Sequence, residues 1–116
     1  MANLTPEELL AGAAISVDVV IPSHLLHPGH PHSSLGEAQG KGVQLRPLSI
    51  GTFQLIMKAA KSDASLIPLL MIKESMVEPT LSLDQIKGLP LGLVSFLIEQ
   101  IRYISGFTEK KSPLMS

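Results

Sequence analysis

The chain has 116 residues, a length that suits one domain around one hydrophobic core, and it has no cysteine, which excludes disulfides, thiol catalysis and thiolate metal sites. Charged residues are only 16% against 45% apolar, well below the roughly 25% charged of an ordinary domain, so a partner is expected to cover part of the surface. A net charge of -1 and four aromatic residues, Phe53, Phe96, Tyr103 and Phe107, offer neither a phosphate-binding surface nor a base-stacking platform, and nucleic acid is not an expected ligand.

Thr5-Pro6-Glu7-Glu8 predicts a short helix with Thr5 as N-cap, Glu8 completing a capping box and Pro6 in the first helical position. It ends near Gly12 to Ala14, so residues 1–14 read as an arm. The same acidic start is unlike a basic signal peptide, and the longest apolar run, Leu66 to Ile72, falls far short of the roughly 20 residues of a membrane span. The expected setting is therefore the cytoplasm, away from any membrane. From Ile15 to Ile21 the apolar residues alternate, with Ile15, Val17, Val19 and Ile21 on one face and Ser16 and Asp18 on the other, until Pro22 stops the strand. Val43 to Arg46 repeats the alternation and ends at Pro47, which makes it the antiparallel partner, with Asp18 and Arg46 facing solvent together.

Between these strands Pro22 to Gly42 holds three prolines, four glycines and all four histidines. A loop this long is either functional or disordered. Beyond it every element reads as helix. Ser49 caps one through about Ala60, with Phe53, Ile56, Met57 and Ala60 as its apolar stripe. The next runs from Ser62–Ser65 to about Val77, tolerates Pro68 in its first turn and stops at Glu78-Pro79. It is apolar nearly all round, which places it in the centre of the domain or against a partner. Ser82-Leu83-Asp84-Gln85 opens a short helix closed by Gly88, and Pro90 starts a last helix ended by Gly106. On that helix Val94, Leu97, Ile98, Ile101 and Ile104 form the expected core stripe, while Leu93 and Phe96 form a second apolar strip open to a partner, with Leu69 and Met71 of the all-apolar helix as further partner residues. The expected architecture is α+β, an N-terminal two-stranded antiparallel β-hairpin followed by a small, mainly α-helical bundle over residues 15–107, with the His/Pro/Gly-rich loop at 22–42 and a frayed tail at 108–116.

Only His24, His27, His30 and His32 offer metal-ligand chemistry. The prolines and glycine among them oppose convergence, and Glu37 is the only nearby carboxylate, so a polar exposed loop is the favoured reading. No metal or cofactor is expected. Each carboxylate has an explanation short of catalysis, Glu7 and Glu8 in a first turn, Asp84 likewise, Glu74 and Glu99 on solvent faces, and no glycine spacing cradles phosphate. No catalytic residue is assigned. Glu78 is either a polar residue ending a helix or a partly buried acid paired with Arg46 or Lys73.

The run Met76-Val77-Glu78-Pro79-Thr80-Leu81-Ser82, followed by Leu89-Pro90, Val94, Leu97, Ile101 and Ile104-Ser105-Gly106-Phe107, resembles the carboxyl-terminal half of the phage tail assembly chaperones, which pair a "vEP-L-s" turn with a last helix ending in "I-x-x-L-S-G-F/L". Upstream, Val43-Gln44-Leu45-Arg46-Pro47-Leu48-Ser49 resembles their "V-x-L-R-x-L-T" strand and cap, and Ile15 to Pro22 the preceding strand of related proteins of contractile injection systems. The resemblance covers Ile15 to Phe107, leaves the histidine-rich loop outside the pattern, and makes Arg46, Glu78, Pro79 and Gly106 structural positions. It implies a non-enzymatic assembly factor in the cytoplasm of the producing bacterium that holds an aggregation-prone tail protein, such as the tape-measure, tube or baseplate component. A homo-oligomer is compatible with it. The alternatives are a structural subunit retained in the tail or baseplate particle and a metal-binding module built on the histidines.

Overall fold

The computed structural model describes residues 2–27 and 41–107. Helix α1 (Pro6–Ala11) opens on the expected capping box: the Glu8 amide donates to Thr5 Oγ1 (3.2 Å) and the Thr5 amide to Glu8 Oε1 (2.8 Å). A 3-10 turn at Gly12–Ala14 follows. Strand β1 (Val17–Val20), a one-turn helix α2 (Ser23–Leu26) and strand β2 (Gly42–Leu45) come next, then α3 (Ile50–Ala59), α4 (Leu66–Ser75), strand β3 (Met76–Glu78), α5 (Leu83–Lys87) and α6 (Leu91–Ile104). The combination of helices with an antiparallel sheet is α+β. The sheet, however, has three strands in the order β1-β2-β3, one more than the expected hairpin.

β1 and β2 pair antiparallel with Val17 opposite Leu45 and Val19 opposite Val43. The alternation expected from the sequence sets the faces: Val19, Ile21 and Leu45 are buried, while Asp18 and Val20 point outward. The strand is shorter than the alternation. Ile15 lies ahead of it and is 55% exposed, because the chain leaves the sheet for the arm before the pleat can turn that side chain inward.

The third strand corrects the expectation that α4 continues to Val77. The helix stops at Ser75, and Gln44 pairs with Glu78 and Leu45 with Met76, so that Val77 is an extra residue bulged out of β3. Ser75 makes the junction. The Arg46 amide donates to the Ser75 carbonyl oxygen (2.8 Å), and the fully buried Ser75 hydroxyl donates to the Arg46 carbonyl oxygen (2.5 Å). These bonds tie the end of α4 to the sheet before another helical turn can form. Glu78 is accordingly an exposed strand residue rather than a buried acid, and the Arg46 guanidinium donates through Nε to the Glu74 carbonyl oxygen (3.0 Å).

Helix α4 touches α3, α5, α6 and β3, the central position that an all-round apolar helix requires. Its Met71 and Ile72 join Ile56 of α3, Ile86 of α5 and Leu45 of β2 in one core. Two stripes differ from expectation. In α3 the buried residues are Ile56 and the flanking Ala60, while Met57 is 43% exposed. In α6 the buried line is Leu93, Leu97 and Ile101, with Val94, Ile98 and Ile104 packed beside it.

The carboxyl end of α6 closes as a Schellman motif: Gly106, at φ 85°, donates to the Tyr103 carbonyl and Phe107 to the Arg102 carbonyl. The positive φ is the reason for glycine there. The turn also places Ser105 Oγ to accept from the Leu48 amide (2.9 Å) and sets the Phe107 ring edge-on to Phe53, with centroids 5.8 Å apart. Ser75 and Ser105 thus hold the Arg46–Leu48 crossing from two sides.

Candidate interaction surfaces

Large apolar side chains are left in water at several places, Ile50, Leu55 and Leu91 among them, and a further group lies at the amino terminus. Helix α1 has no buried residue, and Leu4, Leu9 and Leu10 are each about two-thirds exposed. The cap at Thr5 explains why the helix starts there; nothing it buries explains why it persists. A six-residue helix gains too few internal hydrogen bonds to be stable alone in water. The arm therefore combines a formed backbone with an unsatisfied apolar surface, and Ile15 extends that surface towards the sheet.

A second surface lies where α2 crosses α6. The Leu25 side chain lies 3.4 Å from the point where a Cβ on Gly92 would stand, an ordinary van der Waals distance, so the two helices pack closely at this position. Beside the crossing is an open groove of about 490 Å³ lined by Leu25, Gly92, Ser95, Phe96, Ile98, Glu99 and Arg102. Phe96 and Ile98 are half-buried in its floor, and Glu99 and Arg102 supply one charge of each sign. Its chemistry suits an apolar side chain carried by a polar peptide.

The outward face of the sheet carries a third depression, about 590 Å³, whose lining includes Asp18, Val20, Gly42, Gln44, Glu78 and Pro79. Asp18, Gln44 and Glu78 stand side by side on the three strands. Gly42 is enforced by close approach, since a Cβ there would lie 2.0 Å from the Val19 carbonyl oxygen.

The partner residues expected from the sequence separate on this framework. Phe96 lines the α2–α6 groove. Leu93 and Met71 are 5% and 6% exposed and belong to the core, and Leu69 packs against it, so the strip expected at Leu93 is not open. The reason is rotational: on a helix apolar over more than half its circumference, spacing does not distinguish the line at 93, 97 and 101 from the line at 94, 98 and 101. His24 lies on α2 and, like His27, is exposed; His30 and His32 lie outside the described residues. Among the described residues no group of three or more histidines and carboxylates is placed to hold a metal ion, and no helix is long and apolar enough to cross a membrane.

Sequence reasoning missed the arm's leucines and Ser75. The six-residue helix was too short for its period to show a face, and Ser75 acquires its role through a residue far away in sequence. One carboxylate is perturbed. Hydrogen bonds from the Ser65 hydroxyl (2.6 Å) and then the Ser65 amide (3.1 Å) hold the Asp63 carboxyl below the ordinary carboxylate range, a local feature of the turn into α4. In the comparisons with known proteins, no family model, no curated protein and no solved structure matches the chain.

Proposed function

We propose that the protein is a non-enzymatic assembly factor of a phage tail or contractile injection system, holding an apolar segment of a tail component such as the tape-measure protein in the cytoplasm of the producing bacterium. The sequence resemblance over Ile15 to Phe107 suggests the class. The observation that carries the reading is the arm, a capped helix that buries nothing of its own and leaves Leu4, Leu9 and Leu10 exposed. Moving such side chains onto a partner is favourable by about 1.5–3 kcal/mol each before the costs of association. The α2–α6 groove around Phe96 offers a second, adaptable contact for an amphipathic segment.

The test is co-expression with a tape-measure protein from the same source. The expected result is a soluble complex that elutes as one species and is lost in the Leu9→Asp/Leu10→Asp variant, whose circular dichroism is unchanged because neither leucine is in the core. Equal solubility of the tape-measure protein with and without this chain overturns the reading. Mass spectrometry of purified particles addresses the retained structural subunit: stoichiometric presence of this chain favours that alternative over a factor released on assembly. Chelator-sensitive melting would favour the metal-binding module.

A further inference from the structure

We propose that β1 is a pairing edge for a second copy of this chain, two protomers joining β1 to β1 about a two-fold axis through Val19 to form one six-stranded antiparallel sheet. The inference stands apart from the assembly role and begins with the two edges of the sheet. β3 is protected, being three residues long, bulged at Val77, charged at Glu78 and ended by Pro79. These are the usual devices that keep an edge from pairing. β1 is also short, at four residues, and carries the charge of Asp18, but it is in regular register, contains no proline and exposes 61% of Val20.

The ladder also shows which backbone groups are open. The Ile21 amide donates to the Lys41 carbonyl (3.2 Å), so residues 17, 19 and 21 bond to β2 and the backbone groups of Ser16, Asp18 and Val20 point away from it. Among the described residues no strand lies on that side, and a row of alternating donors and acceptors is matched best by another strand.

Three arguments select a second copy and its register. Opposite residues of an antiparallel pair share a face, so an axis between residues would set core-side valines against outward ones, and only an axis through a residue keeps both faces continuous. An axis at Asp18 opposes two carboxylates directly, which is destabilising. An axis at Val20 sets Asp18 against Pro22, which has no N–H to donate. The axis at Val19 avoids the first fault and moves Pro22 opposite Ser16, beyond the end of the strand. It pairs Asp18 of each copy with Val20 of the other through four N–H···O bonds, and on the core side sets Val19 against Val19 and Val17 against Ile21, so the strand is complementary to itself.

Sedimentation equilibrium of the untagged full chain from about 10 μM to about 1 mM, the range suited to so small a contact, should show the mass rising from 12.4 kDa towards twice that value. A mass that stays at 12.4 kDa throughout overturns the proposal. Because the chain has no cysteine, the single variants Asp18→Cys, Val19→Cys and Val20→Cys report the axis under mild oxidation. Val19→Cys should cross-link fastest, its two Cα atoms meeting at about 4.5 Å, within disulfide reach. Fastest cross-linking at either neighbour, or a dimer without cross-linking at Val19, overturns it. Val20→Pro removes an edge donor that β2 does not use and should abolish the dimer. Val20→Pro protein with an unchanged far-ultraviolet spectrum that still dimerises like the parent also overturns it, and if this variant does not fold, the mass and the cross-links decide alone.

Discussion

Removing one hydroxyl, Ser75→Ala, tests whether the junction between α4 and the sheet is held as described. Ser75 is 0% exposed, and its hydroxyl donates to the Arg46 carbonyl at 2.5 Å, while the Arg46 amide bonds independently to the Ser75 carbonyl. The substitution deletes the first bond, keeps the second and leaves a void no larger than one oxygen atom. A lost intramolecular hydrogen bond costs about 1 kcal/mol, and a carbonyl left dry raises this towards about 3 kcal/mol. Arg46 is itself exposed, so water recovers part of the loss, and the expected cost is about 1–2 kcal/mol. With a urea m value of about 1.5 kcal/mol/M for a small domain, the unfolding midpoint should fall by about 1 M with m unchanged. A midpoint within about 0.2 M of the parent would refute the reasoning, since the hydroxyl would then be replaced by water without loss. A changed m would mean that the substitution had altered the compactness of one of the two states.

Ile101, at 0% exposure, should lose about 2–5 kcal/mol on Ile101→Ala by urea unfolding, and Leu93→Ala should lose a comparable amount, because Leu93 lies on the same buried line rather than on an open strip. Gly42→Ala should destabilise by about 2 kcal/mol or more, since the new methyl meets the Val19 backbone carbonyl and not a side chain that can move; a thermal melt equal to the parent's would show that β2 can shift freely. Ser105→Ala and Ser75→Ala should couple in a double-mutant cycle, as both hydroxyls bind the Arg46–Leu48 crossing. Asp63 titrates low in the folded chain, so its contribution to stability is present above the unfolded carboxylate value of about 3.9 and is lost as pH falls through the lowered folded value. Ser65→Ala should return the Asp63 titration, followed by NMR, towards the ordinary carboxylate range.

Of the interaction surfaces, Phe96 was legible in the sequence as an apolar residue off the main stripe. Leu93 and Met71 were not, because their burial depends on which side of α6 and α4 the neighbouring elements occupy. The arm was legible as a helix but not as an exposed apolar surface, since exposure is a statement about what fails to pack on it.

The features that the sequence by itself determined are those closed within a few residues: the capping boxes at Thr5–Glu8 and Ser82–Gln85, the cap at Ser49, the alternation that turns Val19 and Leu45 inward, and the glycine stop at Gly106. The caps and the glycine stop are interactions between near neighbours, whose energy does not depend on the rest of the chain, and the alternation fixes which residues of a strand share a face. The third strand, the buried role of Ser75 and the close approach at Gly42 were decided by the tertiary structure. Each depends on a partner some 23 or more positions away: Arg46 for Ser75, Gln44 for Glu78, Val19 for Gly42. Met76-Val77-Glu78 is equally acceptable as a last helical turn or a short strand on local preference, and the choice fell to the unpaired far edge of β2, whose backbone donors and acceptors are satisfied by the strand and not by the helix.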